Sequence, residues 1–403
     1  MAQAIDKGER QWRPVDPMRH HREKGWDYRG RAIYHFTLPV EGRYPLFGTL
    51  EGESAETAFV RLNAFGRCVC KMLSGLAQFY KGKGYALKVL AQVVMPDHVH
   101  LVIQVLEPLP QSIGAVVRGF KSGCTKVYKE EFYCSGKNAA EVHGDCQTGG
   151  VGVHGDCQVG GAGVDGKATV QFARIFAGRG SIWQQDAAYY HERILHAPGQ
   201  LRRMIDYVKD NPRRLWLKSH NPDLFRLHRR TEAAGLSFTS MGNHFFLNWP
   251  DCQTVEMSRN ATNEQIEDQL RSVLAVAHNG EVTYTAAISK GEQIIARSLR
   301  EQGYPLVVLL NDGFPKEGHP NECYYKPGGV YFEACSKGQL LLLEPTEESF
   351  LDASIQKAVE ETLRRKAEER HYCYTPIQVT SQRYRFMALN EMAKRLSLCH
   401  RDG

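Results

Sequence analysis

The sequence predicts an α+β protein: a small antiparallel sheet covered by helices in the front half, followed by an α/β unit with parallel strands. Three observations carry this. "YALKVLAQVVMPDHVHLVIQVLE" (85–107) is rich in apolar residues and breaks at Met95-Pro96-Asp97, where the proline fixes a corner between two strands. The segments 56–82 and 109–132 on either side carry apolar residues at helical spacing, so the order β–α–β–β–α is that of a helix-covered antiparallel sheet. From about residue 240, helices alternate with near-continuous apolar strands, which indicates parallel pairing with both faces covered.

Taken in order, residues 1–28 read as a polar arm with no signal-peptide apolar region. "GRAIYHFTLPV" (30–40) is the first strand, and 56–82 the first helix. "LPQSIGAVVRGFKSGCTKVYKEEF" (109–132) is the second helix, with Arg118 and Lys121 available to face a phosphate backbone. A glycine-rich insertion at about 134–168 contains the tandem repeat "EVHGDCQTGG" and "GVHGDCQVGG". Its pairs His143/Cys146 and His154/Cys157 are zinc-ligand types, but no apolar residues support them, and a flexible insertion is the simpler reading. "LRRMIDYVKDNPRRLWL" (201–217) is a helix with Met204, Ile205 and Val208 on one side, stopped or bent by Pro212. The front domain is expected over 29–230, the α/β unit over 240–350, and a helical segment over 351–403.

At 403 residues the chain is long enough for two domains. It has no apolar run of the roughly 18 residues that cross a membrane. Its eleven cysteines follow no disulfide framework, which fits reduced thiols in a cytoplasm. The net charge of +6 is unevenly spread: residues 1–230 carry 33 basic against 22 acidic side chains, and the remainder 18 against 23. A nucleic-acid partner would therefore sit on the front half, although a solvated basic face has the same composition.

The chemistry centres on "MPDHVHLVI". Residues i and i+2 of a strand share a face, so His98 and His100 project together while Val99 and Leu101 point the other way. Paired imidazoles suit a metal. Tyr207 and Asn211 are four apart on a helix, which stacks a phenol and a carboxamide on one side. A tyrosine held against a metal-bound phosphate is a nucleophile for phosphoryl transfer, and an asparagine oxygen can complete a two-histidine site. Tyr189 and Tyr190 have no such partner four residues on and read as packing or stacking residues. Arg202, Arg203, Arg213 and Arg214 join Arg118 and Lys121 as candidate DNA-binding residues.

These motifs resemble the His-hydrophobe-His signature of HUH single-strand nucleases. "IWQQDAAYYHERIL" with "LRRMIDYVKDNPRRL" is similar to the tyrosine helix of REP-associated tyrosine transposases, and "YHFTLPVEGRYPLF" and "IGAVVRGFKSGCTK" resemble that family's first strand and second helix. The resemblance covers about residues 28–220. It implies a ferredoxin-like HUH domain, often a homodimer, that cuts and rejoins hairpin-containing single-stranded DNA with Mg²⁺ or Mn²⁺. It implies His98, His100 and Asn211 as ligands, Tyr207 as nucleophile, and a bacterial, nucleoid-associated setting. Asp97 stands where the family commonly has asparagine. Residues 240–345 are faintly similar to the Rossmann-like domain of DNA-processing protein A, with no ligand implied. Two alternatives stand beside this one: a hairpin-binding protein that no longer cleaves, and a nucleotide-processing enzyme whose chemistry lies in the C-terminal half.

Overall fold

Period-two apolar patterning builds the front sheet. The computed structural model describes residues 23, 25–133, 180–184, 191–315, 329–369, 371 and 373–398. The chain forms two units, 18–217 and 218–403. Nearly all of the polar arm, the repeat insertion with its His and Cys pairs, and Tyr189 and Tyr190 lie outside the described residues.

The strands of the first unit are β1 (Ile33–Pro39), β2 (Gly48–Glu51), β3 (Phe59–Leu62), β4 (Leu87–Val94), β5 (His98–Val105) and β6 (His191–Ile194). Four of them form an antiparallel sheet in the order β4-β5-β1-β6, and β2 pairs with β3 in a separate hairpin. Helices α1 (Ala64–Ser74), α2 (Leu76–Lys81) and α3 (Ile113–Val127) cover one face. There Phe65, Val69, Leu73, Val116 and Phe120 close over Tyr34, Phe36, Leu38, Val99, Leu101 and Ile103. The other face is covered by α4 (Gln200–Lys209), whose Met204 and Val208 pack against Val102 with Leu90 and Val93 alongside. Burying such side chains contributes about 1.5–3 kcal/mol each, so both helical layers are held firmly.

One sequence expectation changes here and another is met. The helix expected over 56–82 begins only at Ala64, because residues 59–62 pair with 48–51 instead. Asn63 sets the boundary: its side chain accepts from the Gly66 N–H at 2.8 Å and donates to Leu46 O at 2.9 Å, capping the helix while anchoring the hairpin. The stop or bend expected at Pro212 in 201–217 is present beside it and divides the segment into two helices. α4 ends at Lys209 and α5 (Asn211–His220) starts afresh, with Pro212 in its first turn, where a missing N–H costs nothing.

The second unit has a six-stranded sheet: β7 (His228–Ala233), β8 (Leu236–Gly242), β9 (Cys252–Val255), β10 (Val282–Thr285), β11 (Leu306–Leu309) and β12 (Leu340–Pro345), in the order β7-β8-β12-β11-β10-β9. β9 to β12 are parallel and β7–β8 is an antiparallel hairpin added beside β12. The parallel strands are joined by α6 (Asn263–His278), α7 (Lys290–Gln302) and α8 (Gly329–Ser336). Capping boxes Thr262/Gln265 and Ser289/Glu292 start α6 and α7. Because the strands succeed one another in one direction, right-handed crossovers put these helices on a single face. The C-terminal helices α9 (Ala353–Glu369) and α10 (Gln382–Leu398) bury Val359, Leu363, Leu389 and Met392 against Val282, Tyr284, Val307 and Leu341. The parallel pairing expected of this half is present. The described sheet lacks the reversal of strand order that defines a doubly wound Rossmann fold. Among the described residues no helix is long and apolar enough to cross a membrane.

Candidate active site

With Val99, Leu101 and Ile103 committed to the core under α1–α3, the opposite face of β5 presents His98, His100 and Val102 towards α4. His98 and His100 are 8% and 3% exposed. Their Nε2 atoms lie 3.1 Å apart, with the rings nearly perpendicular.

The outer nitrogens decide what those Nε2 atoms offer. His98 Nδ1 is 2.5 Å from Asp97 Oδ1. Burial pushes the Asp97 carboxyl up, but the hydrogen bond and charge of His98, with the Arg43 guanidinium, more than offset it and hold it below its ordinary range. An ionised carboxylate only accepts, so the His98 proton sits on Nδ1 and its Nε2 lone pair is turned towards His100. His100 Nδ1 meets Thr37 Oγ1 at 2.9 Å and His35 Nε2 at 3.1 Å, partners supplied by the neighbouring strand, where Thr37 stands opposite His100 and His35 opposite Val102. When His100 donates from Nδ1 to either, it too turns a lone pair inwards.

Two lone pairs 3.1 Å apart repel unless a proton or cation lies between them. Metal–imidazole bonds of about 2.1 Å meeting at roughly 95° span this distance, so the pair fits two adjacent ligands of one ion. Outer-sphere partners on both histidines are the arrangement that fixes a ligand tautomer. Among the described residues, no group of three or more His, Cys, Asp or Glu is disposed to hold a metal. Among the described residues, a third protein donor to such an ion would have to be of another type.

Tyr207 projects from α4 onto this pair. Its ring centroid is 5.4 Å from that of His100 and 6.2 Å from that of His35, edge-on to both. The break at Asp210 lets Asn211 fold back: its Nδ2 donates to Tyr207 O at 2.8 Å, and its side chain also bonds the phenol. Asn211 is 1% exposed, and it is tied to the histidines through Tyr207. Burial pushes the Tyr207 phenol above its ordinary value, while the Arg214 charge, the Asn211 bond and the Arg43 charge oppose the rise without cancelling it.

The basic candidates do not form one surface. Arg202 and Arg203 are exposed on α4, the helix of the histidine face. Arg213 is locked to Asp210 by bonds of 2.6 and 3.2 Å. Arg214 is buried, with its guanidinium 5.5 Å from the Tyr207 ring. Arg118 is exposed, but α3 covers the opposite face of the sheet. Lys121, also on α3, is half-buried, and burial lowers its pKa to about 8 against the opposing charge of Glu41.

Sequence reasoning passed over His35, Thr37 and Arg43. The first two carried a usable signal, since "YHFTLP" places polar side chains at i and i+2 of an apolar strand, as "HVHL" does. Arg43 carried none.

No family model and no curated protein matches the chain. Among solved structures, one described as a transposase from Deinococcus radiodurans R1 is 13% identical over 47% of this chain and 96% of its own, with a TM-score of 0.24. A REP-associated tyrosine transposase bound to a REP hairpin is 15% identical over 47% of this chain and 72% of its own, also at 0.24. At that TM-score neither likeness bears on the chemistry, which stands on the side chains.

Proposed function

We propose that the front unit is a metal-dependent endonuclease and strand transferase for hairpin-containing single-stranded DNA, a transposase working through a 5′-phosphotyrosine. The observation that supports it is the Tyr207 ring lying 5.4 Å from His100, which sets a phenol beside two imidazoles whose Nε2 atoms are 3.1 Å apart. The hairpin substrate and a bacterial cytoplasmic setting are what the resemblance of the motifs to REP-associated tyrosine transposases implies.

Tyr207 Oη attacks phosphorus and loses its proton; the bond to the 3′ oxygen breaks, and that oxygen departs as a hydroxyl. The 5′ phosphate stays on the tyrosine. Attack by a second 3′-OH reverses these changes and joins a new strand, with the bond energy conserved throughout. His98, His100 and Asn211 would hold the ion; Mg²⁺ or Mn²⁺ bound there would supply charge neutralisation for the phosphate and the leaving oxygen, imidazoles favouring Mn²⁺ of the two. Asp97, Thr37 and His35 orient the imidazoles. Asn211 fixes the phenol's approach, and Arg214 limits the cost of its ionisation in a buried setting.

The test incubates purified protein with labelled hairpin DNA from the flanks of its own gene, with Mg²⁺, Mn²⁺ or chelator, and resolves covalent adducts on a denaturing gel. A metal-dependent adduct is expected in the wild type and none in Tyr207→Phe, which keeps its affinity for the hairpin. An adduct in Tyr207→Phe would sink the assignment. Binding without any adduct in the wild type would leave a non-cleaving hairpin binder.

A further inference from the structure

The turn after β1 carries an arginine in an unusual backbone state. In residues 41–43, Gly42 has φ 61° and Arg43 φ 55°, both left-handed. A residue with a Cβ takes that conformation at a cost that its surroundings have to offset. The surroundings here are the corner between β4 and β5. Val40 N donates to Asp97 O at 2.9 Å and Phe47 N donates to Pro96 O at 3.0 Å, so the turn is clamped to that corner on both sides. Arg43 Nε then meets Asp97 Oδ2 at 2.9 Å, while Asp97 Oδ1 serves His98.

An ordinary surface ion pair would need neither the strained backbone nor a carboxylate shared with a buried histidine. Anchoring through Nε leaves the two terminal amino groups of the guanidinium outside that bond, and the side chain is 44% exposed. The Arg43 charge is felt at Tyr207 as well, where it opposes the rise in the phenol's pKa.

We infer that Arg43 grips a non-bridging oxygen of the phosphodiester that lies against Tyr207, with Asp97 as the positioning residue that aims the guanidinium. This rests on the strand-cleavage reading above. A planar guanidinium fixed at one nitrogen suits a phosphate, since its remaining N–H groups diverge to reach two oxygens. In this chain the carboxylate at position 97 supplies what an asparagine there would lack, a full charge to hold the arginine.

The probe is a fluorescent hairpin oligonucleotide from the flanks of the protein's own gene, titrated into Tyr207→Phe protein across a salt series. A companion set carries one uncharged methylphosphonate linkage at successive positions. One linkage is expected to weaken binding when neutralised. Adding Arg43→Gln should weaken binding of the unmodified probe roughly tenfold at low salt. It should also lower the slope of log affinity against log salt by about 0.7, the share of one single-strand phosphate. At the sensitive linkage the methylphosphonate should then cost Arg43→Gln nothing more. Arg43→Gly relieves the backbone and removes the guanidinium, so it should behave as Arg43→Gln does. A slope and affinity unchanged in Arg43→Gln, or Arg43→Gly binding as tightly as the arginine, would overturn the role of Arg43 alone. No binding by the Tyr207→Phe protein would overturn the DNA reading itself, and the Arg43 contact with it.

Discussion

Thr37 Oγ1 stands 2.9 Å from His100 Nδ1, across the register that sets Thr37 of β1 opposite His100 of β5. A hydroxyl from one strand thereby helps to hold the orientation of an imidazole on the next. Thr37→Val keeps the shape and removes that partner. Mn²⁺ affinity, measured by calorimetry, should fall by about tenfold. Circular dichroism should show the fold intact. An unchanged affinity would leave His35 as the sole group orienting His100.

The split of the basic residues between two faces makes a sharp contrast in binding. Arg202→Gln and Arg203→Gln, on the helix of the histidine face, should each weaken hairpin binding and lower the salt slope by about 0.7. Arg118→Gln, on the helix that covers the opposite face, should leave both unchanged. Filter binding across a salt series reads all three. A loss in Arg118→Gln equal to the other two would show that DNA wraps both faces.

The second unit holds a carboxylate whose pH behaviour can be stated in advance. Glu256 follows β9 and meets Lys394 of α10 at 2.6 Å and Lys366 of α9 at 3.4 Å. Burial pushes its carboxyl up, but the bonds and charges of the two lysines hold it below the usual range. The folded state thus binds this proton more weakly than the unfolded chain does. Its contribution is complete above the unfolded pKa and is lost as pH falls through the depressed one. Glu256→Gln should cost about 1–2 kcal/mol at neutral pH, with the gap to wild type closing below about pH 4. Urea midpoints measured across that range decide it; a gap independent of pH would show that the ion pairs contribute nothing.

Gly242 is a backbone requirement rather than a choice. Its φ is +118°, and a Cβ there would sit 2.1 Å from Leu340 O in the ladder that joins β8 to β12. Gly242→Ala should lower stability by about 3 kcal/mol or more, with urea unfolding as the measure. A change under about 0.5 kcal/mol, the size usual for unconstrained surface positions, would mean that the ladder shifts freely.

What could be read from the chain and what could not follow from range. His98 and His100 were legible because strand periodicity is local, and the relation of Tyr207 to Asn211 because four residues span one helical turn. The hairpin at 48–62 was not. Phe59, Leu62 and Phe65 fall at a spacing of three that mimics a helix, yet Phe59 is largely exposed, and only pairing with 48–51 shows the segment to be a strand. The partners of His100 lie more than sixty residues away along the chain, so their alignment depends on strand register. Arg43 depends on a positive φ, which nothing about an arginine announces.

The C-terminal helix has a consequence for how the protein is made. α10 delivers Tyr384, Ala388, Leu389, Met392, Ala393 and Leu396 to the core of the second sheet. On the ribosome, strands β7 to β12 emerge first and wait with one apolar side uncovered until residues near 396 clear the exit tunnel. The first unit has every element of its sheet and both covering layers by residue 217. During each round of synthesis a finished first unit therefore trails a sticky, unfinished sheet, and the interval before α10 arrives is when aggregation threatens and a chaperone has most to protect.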